Sequence, residues 1–333
     1  MGFLIAFLAI GFFPAQAQVK MAGVQRVAVV SGKLIAVKDD GSGTVLVRDA
    51  RGTFQVAGTF ASARNPSGIA VADLDGDGHP DLVIAHHEEK FATIHFGPSY
   101  ARSARLEVPD VTPHLHSVAA ADLDGDGHAD LVFNDMGAKR VLIFWGKGDG
   151  TFSAPTAVAT GSKGFAYFDV AVLGHRLFVP SWPQSQLAVL RADGRRMTQE
   201  SLLDLPNPSF YAQAVGQDVA VATYSGSSAD TSRDGVLLLR GGRGPAVAHA
   251  AGPSPVRLAS GDVDGDGAAD LAVCNLGGSV QILLGDPHGL RDGPTLRAAH
   301  PQDAALGDLD GDGKADLVIA AEGEVQIFLT RPP

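Results

Sequence analysis

The chain has 333 residues, with 26 basic against 37 acidic side chains and a formal charge of −11. No run of Lys or Arg interrupts the acidic excess, which excludes nucleic acid and anionic membrane surfaces as partners, because clustered cations hold both. Gly reaches 41 and Pro 19, while Trp occurs twice and Cys once, a composition of short strands joined by many tight turns.

At the N-terminus, Phe3 to Phe13 is an apolar run followed by Pro14 and the small-residue triplet Ala15-Gln16-Ala17. Residues 1–17 read as a signal peptide with processing before Gln18, and the run is shorter than the about 20 residues a membrane helix takes. The expectation is a secreted or periplasmic monomer with no membrane insertion. The next segment, Gln18 to Gly23, resembles the later strand Phe54 to Gly58. Four short β runs then follow in one unit: Val27–Val30, Leu34–Val37, Val45–Val47 and Phe54–Val56.

A repeat begins at Val71 with VADLDGDGHPDLVI and returns as AADLDGDGHADLVF from Ala120, SGDVDGDGAADLAV from Ser260 and LGDLDGDGKADLVI from Leu306. The first aspartates, Asp73, Asp122, Asp262 and Asp308, are 49, 140 and 46 residues apart. The long interval holds two further units without the acidic loop. One runs through Tyr167–Val172 and Leu177–Val179, the other through Tyr211–Val215 and Asp218–Val221. In the unit after Ala120, four β runs fall at Ser117–Ala121, Asp130–Asn134, Arg140–Trp145 and Ala154–Ala159. Cys274, in the run Leu271–Cys274, reads as a small buried side chain.

Four antiparallel strands in each unit of 40 to 50 residues make the blade of a propeller. The fold expected is all-β, a single seven-bladed β-propeller over 18–333. Its blades lie near 24–62, 63–110, 111–160, 161–205, 206–250, 251–298 and 299–333. The seventh shows three strands ending at Val325–Leu329, and 18–23 is the N-terminal strand expected to complete it and close the ring. Small first strands, such as Ala119–Ala121, suit innermost strands that crowd around a central channel.

The acidic loops carry the chemistry. In the first, Asp73, Asp75, Asp77 and Asp81 stand at positions 1, 3, 5 and 9, with Gly76 and Gly78 between and the His79 carbonyl at position 7. Alternate spacing turns carboxylates toward one centre, and hard oxygen donors of this kind suit Ca²⁺ over Mg²⁺. One such loop alone also reads as a set of Asx turns. Four loops that each concentrate four aspartates point to metal, about four calcium ions in all.

The D-x-D-G-D-G-x-x-D-L pattern resembles FG-GAP and VCBS repeats, related to the calcium loops of integrin α-subunit propellers. Trp145 to Phe152, Phe96-Gly97-Pro98 and Gly285-Asp286-Pro287 are similar to the consensus after the third strand. The resemblance implies ligand sets at Asp122, Asp124, Asp126, His128 and Asp130, at Asp262, Asp264, Asp266, Ala268 and Asp270, and at Asp308, Asp310, Asp312, Lys314 and Asp316. Position 7 contributes its carbonyl in each set. Blades one, four and five, lacking the motif, are expected to be metal-free. The resemblance further places a ligand platform on the face opposite these loops. There the blade alignment gathers His86, His87, His114, His116, Tyr167, Trp182, Tyr211, Arg257 and Asp303.

The reading that follows is a calcium-binding module that engages a protein or carbohydrate ligand. The alternative is a polysaccharide-acting, lyase-like enzyme, in which a tyrosine or histidine abstracts a proton beside an arginine. No nucleophile elbow, CxxC pair, HExxH or phosphate-cradling loop occurs in the chain, and no catalytic residue is nominated.

Overall fold

Short apolar runs bounded by Gly and Asp become strands, and 28 strands assemble into seven separate four-stranded antiparallel sheets. The computed structural model describes residues 13, 15–109, 114–136, 138–162, 169–182, 184–225 and 230–330. The protein is a seven-bladed β-propeller. Among the described residues there is no α-helix, only a 3-10 turn at Arg240–Gly242, and no helix long and apolar enough to cross a membrane.

Blade one contains Val24–Val30, Lys33–Lys38, Ser42–Arg48 and Phe54–Ala61. Blade two contains Pro66–Ala72, Asp81–His86, Phe91–Phe96 and Arg102–Glu107, and blade three Val118–Ala121, Asp130–Asp135, Arg140–Phe144 and Thr156–Ala159. Blade four runs through Ala171–Leu173, Arg176–Ser181, Gln186–Asp193 and Arg196–Asp204. Blade five runs through Ser209–Val215, Asp218–Thr223, Gly235–Leu239 and Val247–Ala250. Blade six has Pro255–Gly261, Asp270–Asn275, Ser279–Asp286 and Gly289–Arg297. Blade seven joins Asp303–Gly307, Asp316–Ala321 and Glu324–Leu329 to Ala15–Lys20.

The strand completing blade seven is therefore Ala15–Lys20, starting three residues earlier than the Gln18–Gly23 segment read from the sequence. It pairs antiparallel from Ala15 opposite Leu329 to Lys20 opposite Glu324. The register is set by alternation: Ala17, Val19 and Met21 pack on the core shared by blades seven and one, which a shift of one residue would turn outward. Residues 1–12 and 14 of the expected signal peptide lie outside the described residues, as does Tyr167.

The chain divides into two compact units, 1–59 with 215–333, and 60–214. In the first, apolar cores lie between blades five and six, six and seven, and seven and one. In the second, they lie between blades two and three and between three and four. Each second strand after an acidic loop is buried at all six positions; in blade seven Leu317 and Ile319 face the core shared with blade six, and Val318 and Ala320 the core shared with blade one. Continuous apolar runs such as Leu317–Ala321 follow from that two-sided burial. First strands approach so closely that a Cβ at Gly307 would lie 2.7 Å from Val29 Cβ, and one at Gly68 2.8 Å from Ser117 Cα.

Candidate metal centres

The four acidic loops, 73–81, 122–130, 262–270 and 308–316, each join the first to the second strand of blades two, three, six and seven. In every loop the position-1 carboxylate accepts two glycine N–H groups. Asp73 takes Gly76 at 2.8 Å and Gly78 at 2.9 Å, and Asp122, Asp262 and Asp308 repeat the pattern. These glycines have φ between +75° and +88°, a conformation that other residues adopt only with strain. The position-5 aspartates cap the N–H of position 7 at 2.8 to 3.0 Å.

Position 9 anchors the loop to its blade. Asp81, Asp130, Asp270 and Asp316 are fully buried, and one oxygen of each accepts the N–H of position 2 at 2.7 to 2.9 Å. The other oxygen accepts an N–H from the end of the third strand or just beyond it: Gly97 at 2.7 Å, Gly146 at 2.8 Å, Gly285 at 2.6 Å and Thr330 at 2.7 Å. The three glycines are required, since a Cβ at Gly146 would come within 2.2 Å of Ala129 O and one at Gly285 within 2.2 Å of Ala269 O. The sequence motif shows these glycines but not their partner, 15 or 16 residues upstream in the first three loops.

The fold thus brings three carboxylates to one point in each loop. Oxygens of Asp73, Asp75 and Asp81 lie within 4.8 Å of one another, as do those of Asp122, Asp124 and Asp130, Asp262, Asp264 and Asp270, and Asp308, Asp310 and Asp316. The position-5 aspartates Asp77, Asp126, Asp266 and Asp312 are not part of these groups. Burial raises the proton affinity of all four position-9 carboxylates, to a pKa of about 6 for Asp270 and Asp316, against the backbone hydrogen bonds that lower it. Neighbouring loop aspartates raise it further. Asp310 is raised by burial and by Asp312, and its buried Oδ1 has no hydrogen-bond partner. Converging hard oxygens that repel one another fit a divalent cation of the calcium type.

An arginine not singled out in the sequence meets position 3 of every loop. Arg102 and Arg291 reach Asp75 and Asp264 from outer strands of the same blades. Arg195 and Arg48, on the following blade in each case, reach Asp124 at 2.7 Å and Asp310 at 4.0 Å. Arg102 and Arg291 each lie 27 residues after their aspartate, an interval the two blades share, whereas Arg195 lies 71 residues from Asp124 and Arg48 stands on another blade than Asp310.

An FG-GAP-like repeat model matches residues 29–84, 122–173 and 262–319, which include all four loops. The chain belongs to the FG-GAP-repeat β-propellers. Among curated proteins, none matches it significantly by sequence. Solved structures similar to this FG-GAP propeller include BBS1N in complex with ARL6DN, at 14% identity and TM-score 0.63, covering 94% of this chain and 95% of that one. The WD40 β-propeller domain of Doa1 is similar at 12% identity and TM-score 0.65, covering 96% of each chain. The β-propeller domain of Cps50 (Swd1) from Myceliophteria thermophila is similar at 12% identity and TM-score 0.64, covering 95% and 100%.

The residues assigned to the opposite ends of the strands fall into separate groups. His87, His114 and His116 meet in the second unit. In the same unit Trp182 stacks on Phe210 at 5.5 Å, and Phe210 on Tyr211 at 6.5 Å. Phe210 was not singled out in the sequence. In the first unit, Asp303 feels the charges of Arg26 and Arg257, and its Oδ2 accepts the Val27 N–H at 3.1 Å.

Two platform assignments are corrected. His86 has no exposed surface, and its Nε2 lies 3.0 Å from Thr93 Oγ1; burial lowers its pKa to about 4. Asp303 is likewise buried, with its pKa raised by that burial. His86 is the last residue of a second strand buried at all six positions, and Asp303 opens a first strand whose first three residues are all buried, so neither side chain is left for a surface.

Proposed function

We propose that this FG-GAP propeller is a secreted, calcium-binding interaction module that engages a protein or glycan ligand. The observation that carries the reading is the fourfold recurrence of one loop geometry, in which three carboxylates converge and the buried one is tied to the blade. Asp73, Asp75 and Asp81 and their counterparts would hold the ion. The position-5 aspartates and the carbonyls of His79, His128, Ala268 and Lys314 would supply further oxygens. Calcium there cancels carboxylate repulsion and links the loop to the third strand through position 9. Sites of extracellular modules bind in the range of about 10⁻⁴–10⁻³ M, which suits calcium-rich surroundings and agrees with the apolar leader and small-residue triplet before Gln18.

The ligand would meet the half-buried aromatic set of Trp182, Phe210 and Tyr211, whose faces suit sugar rings or side chains of a partner. The likeness to BBS1N, captured in complex with ARL6DN, supports a protein partner. Calcium titration of chelator-treated chain tests the metal, with about four equivalents expected; none at millimolar calcium would refute it. A glycan and protein array in calcium, run with wild type and with Trp182→Ala/Tyr211→Ala, tests the module. Hits lost in the double variant support the surface. Hits that survive it but vanish with Asp124→Asn would place the ligand on the metal instead.

A further inference from the structure

Three histidines meet where no acidic loop lies. His87 follows the second strand of blade two, and His114 and His116 precede the first strand of blade three. Leu115 between them is fully buried, so extended backbone directs residues 114 and 116 to one side. Their rings stack at 5.5 Å and 13°, and His87 stands edge-on to them at 4.4 and 4.6 Å. His114 Nδ1 lies 2.9 Å from His87 Nε2, and one ring nitrogen from each of the three lies within 4.8 Å of the others.

Both segments are held in place. The His87 N–H donates to Asn65 O at 3.0 Å. Ser67 Oγ donates to the Leu115 carbonyl, and the buried Asn134 Oδ1 accepts the N–H groups of His116 at 3.2 Å and Ser117 at 2.9 Å. The His114–His116 segment is thus held by two buried side chains, Ser67 and Asn134, and His87 by a backbone carbonyl.

We propose that His87, His114 and His116 form a binding site for a first-row transition-metal dication of the zinc type, separate from the acidic loops. Imidazole nitrogen suits zinc, copper and nickel, whereas calcium takes oxygen. Tetrahedral zinc with bonds of about 2.0–2.1 Å sets its ligand nitrogens roughly 3.3–3.4 Å apart. The pair at 2.9 Å therefore opens by only about 0.5 Å as the dication replaces the proton the two rings share. All three histidines are half-buried, and three protein ligands leave a fourth position for water or a ligand group, the composition of zinc sites that remain open. This site is independent of the calcium reading, since calcium enters its test only as a competitor.

The test uses the full chain in millimolar Ca²⁺, titrated with Zn²⁺ calorimetrically and with Co²⁺ by visible absorption. One equivalent of Zn²⁺ and the intense bands of tetrahedral Co²⁺ are expected. His87→Gln and His114→Gln should each weaken Zn²⁺ by more than about tenfold, the loss that even an outer-shell change produces. Asp124→Asn should leave it unchanged. Calcium content and circular dichroism verify that the variants fold. Wild type lacking Zn²⁺ binding or tetrahedral Co²⁺ bands would overturn the proposal whatever the variants do, as would histidine variants that bind Zn²⁺ like wild type.

Discussion

Asp264→Asn isolates the contribution of one proposed calcium site. Asp264 Oδ1 accepts the Asp266 N–H at 3.2 Å, and Oδ2 faces Arg291 at 3.3 Å. Asparagine keeps the first contact through its carbonyl and loses the second, an exposed pair contributing less than about 1 kcal/mol. Without calcium, the variant should therefore match wild type within that margin. With calcium at a hundredfold excess over Kd, an intact site adds about 2.7 kcal/mol, and the variant forfeits it because one of the three converging carboxylates is gone. For a chain of this size that corresponds to a melting temperature lower by roughly 4 °C. Scanning calorimetry in chelator and in calcium, beside a binding titration expected to fall from about four equivalents to three, reads both quantities. A difference of equal size in chelator would mean that the carboxylate acts through packing alone. Four equivalents in the variant would refute the assignment of Asp264 as a ligand.

Removing residues through Lys20 strips all six partners from Glu324–Leu329, so the truncated chain should melt lower and associate through the exposed edge, seen by calorimetry and light scattering. Processing after Ala17 leaves Gln18, Val19 and Lys20 paired, and such a chain should melt between the two; an unchanged, monomeric truncation would show that the strand closes nothing. Gly146→Ala forces a Cβ to within 2.2 Å of Ala129 O and should cost about 1–3 kcal/mol together with the calcium equivalent held by Asp130. His95 is buried against Phe60 and its pKa is lowered, chiefly by burial and against a Tyr100 backbone contact. The unfolded chain then binds the proton more readily, so stability is lost as pH falls below about 6.5. In saturating calcium, His95→Phe should flatten that fall, and parallel pH profiles for the two proteins would contradict it.

The repeat, and through its period the blade count, is legible in the residues alone, because four units spell their buried second strand as an apolar run after D-x-D-G-D-G and the three others keep the apolar run without the loop. The glycines at positions 4 and 6 declared the loop, since few other residues take their positive φ without strain. Which carboxylates converge was decided only by folding. Positions 1, 3 and 9 meet while position 5 turns to cap a backbone N–H, a division that equal spacing in the sequence does not show. Arg195 was illegible for a related reason: it lies 71 residues from Asp124 on the following blade, and blade packing alone makes the two neighbours, whereas Arg102 and Arg291 repeat one interval of 27 residues from their aspartates. The three histidines show both sides at once. His114 and His116 announce a shared face by their spacing, but His87 joins them and His86 does not, because His86 ends a strand buried at every position while His87 lies in the turn beyond it.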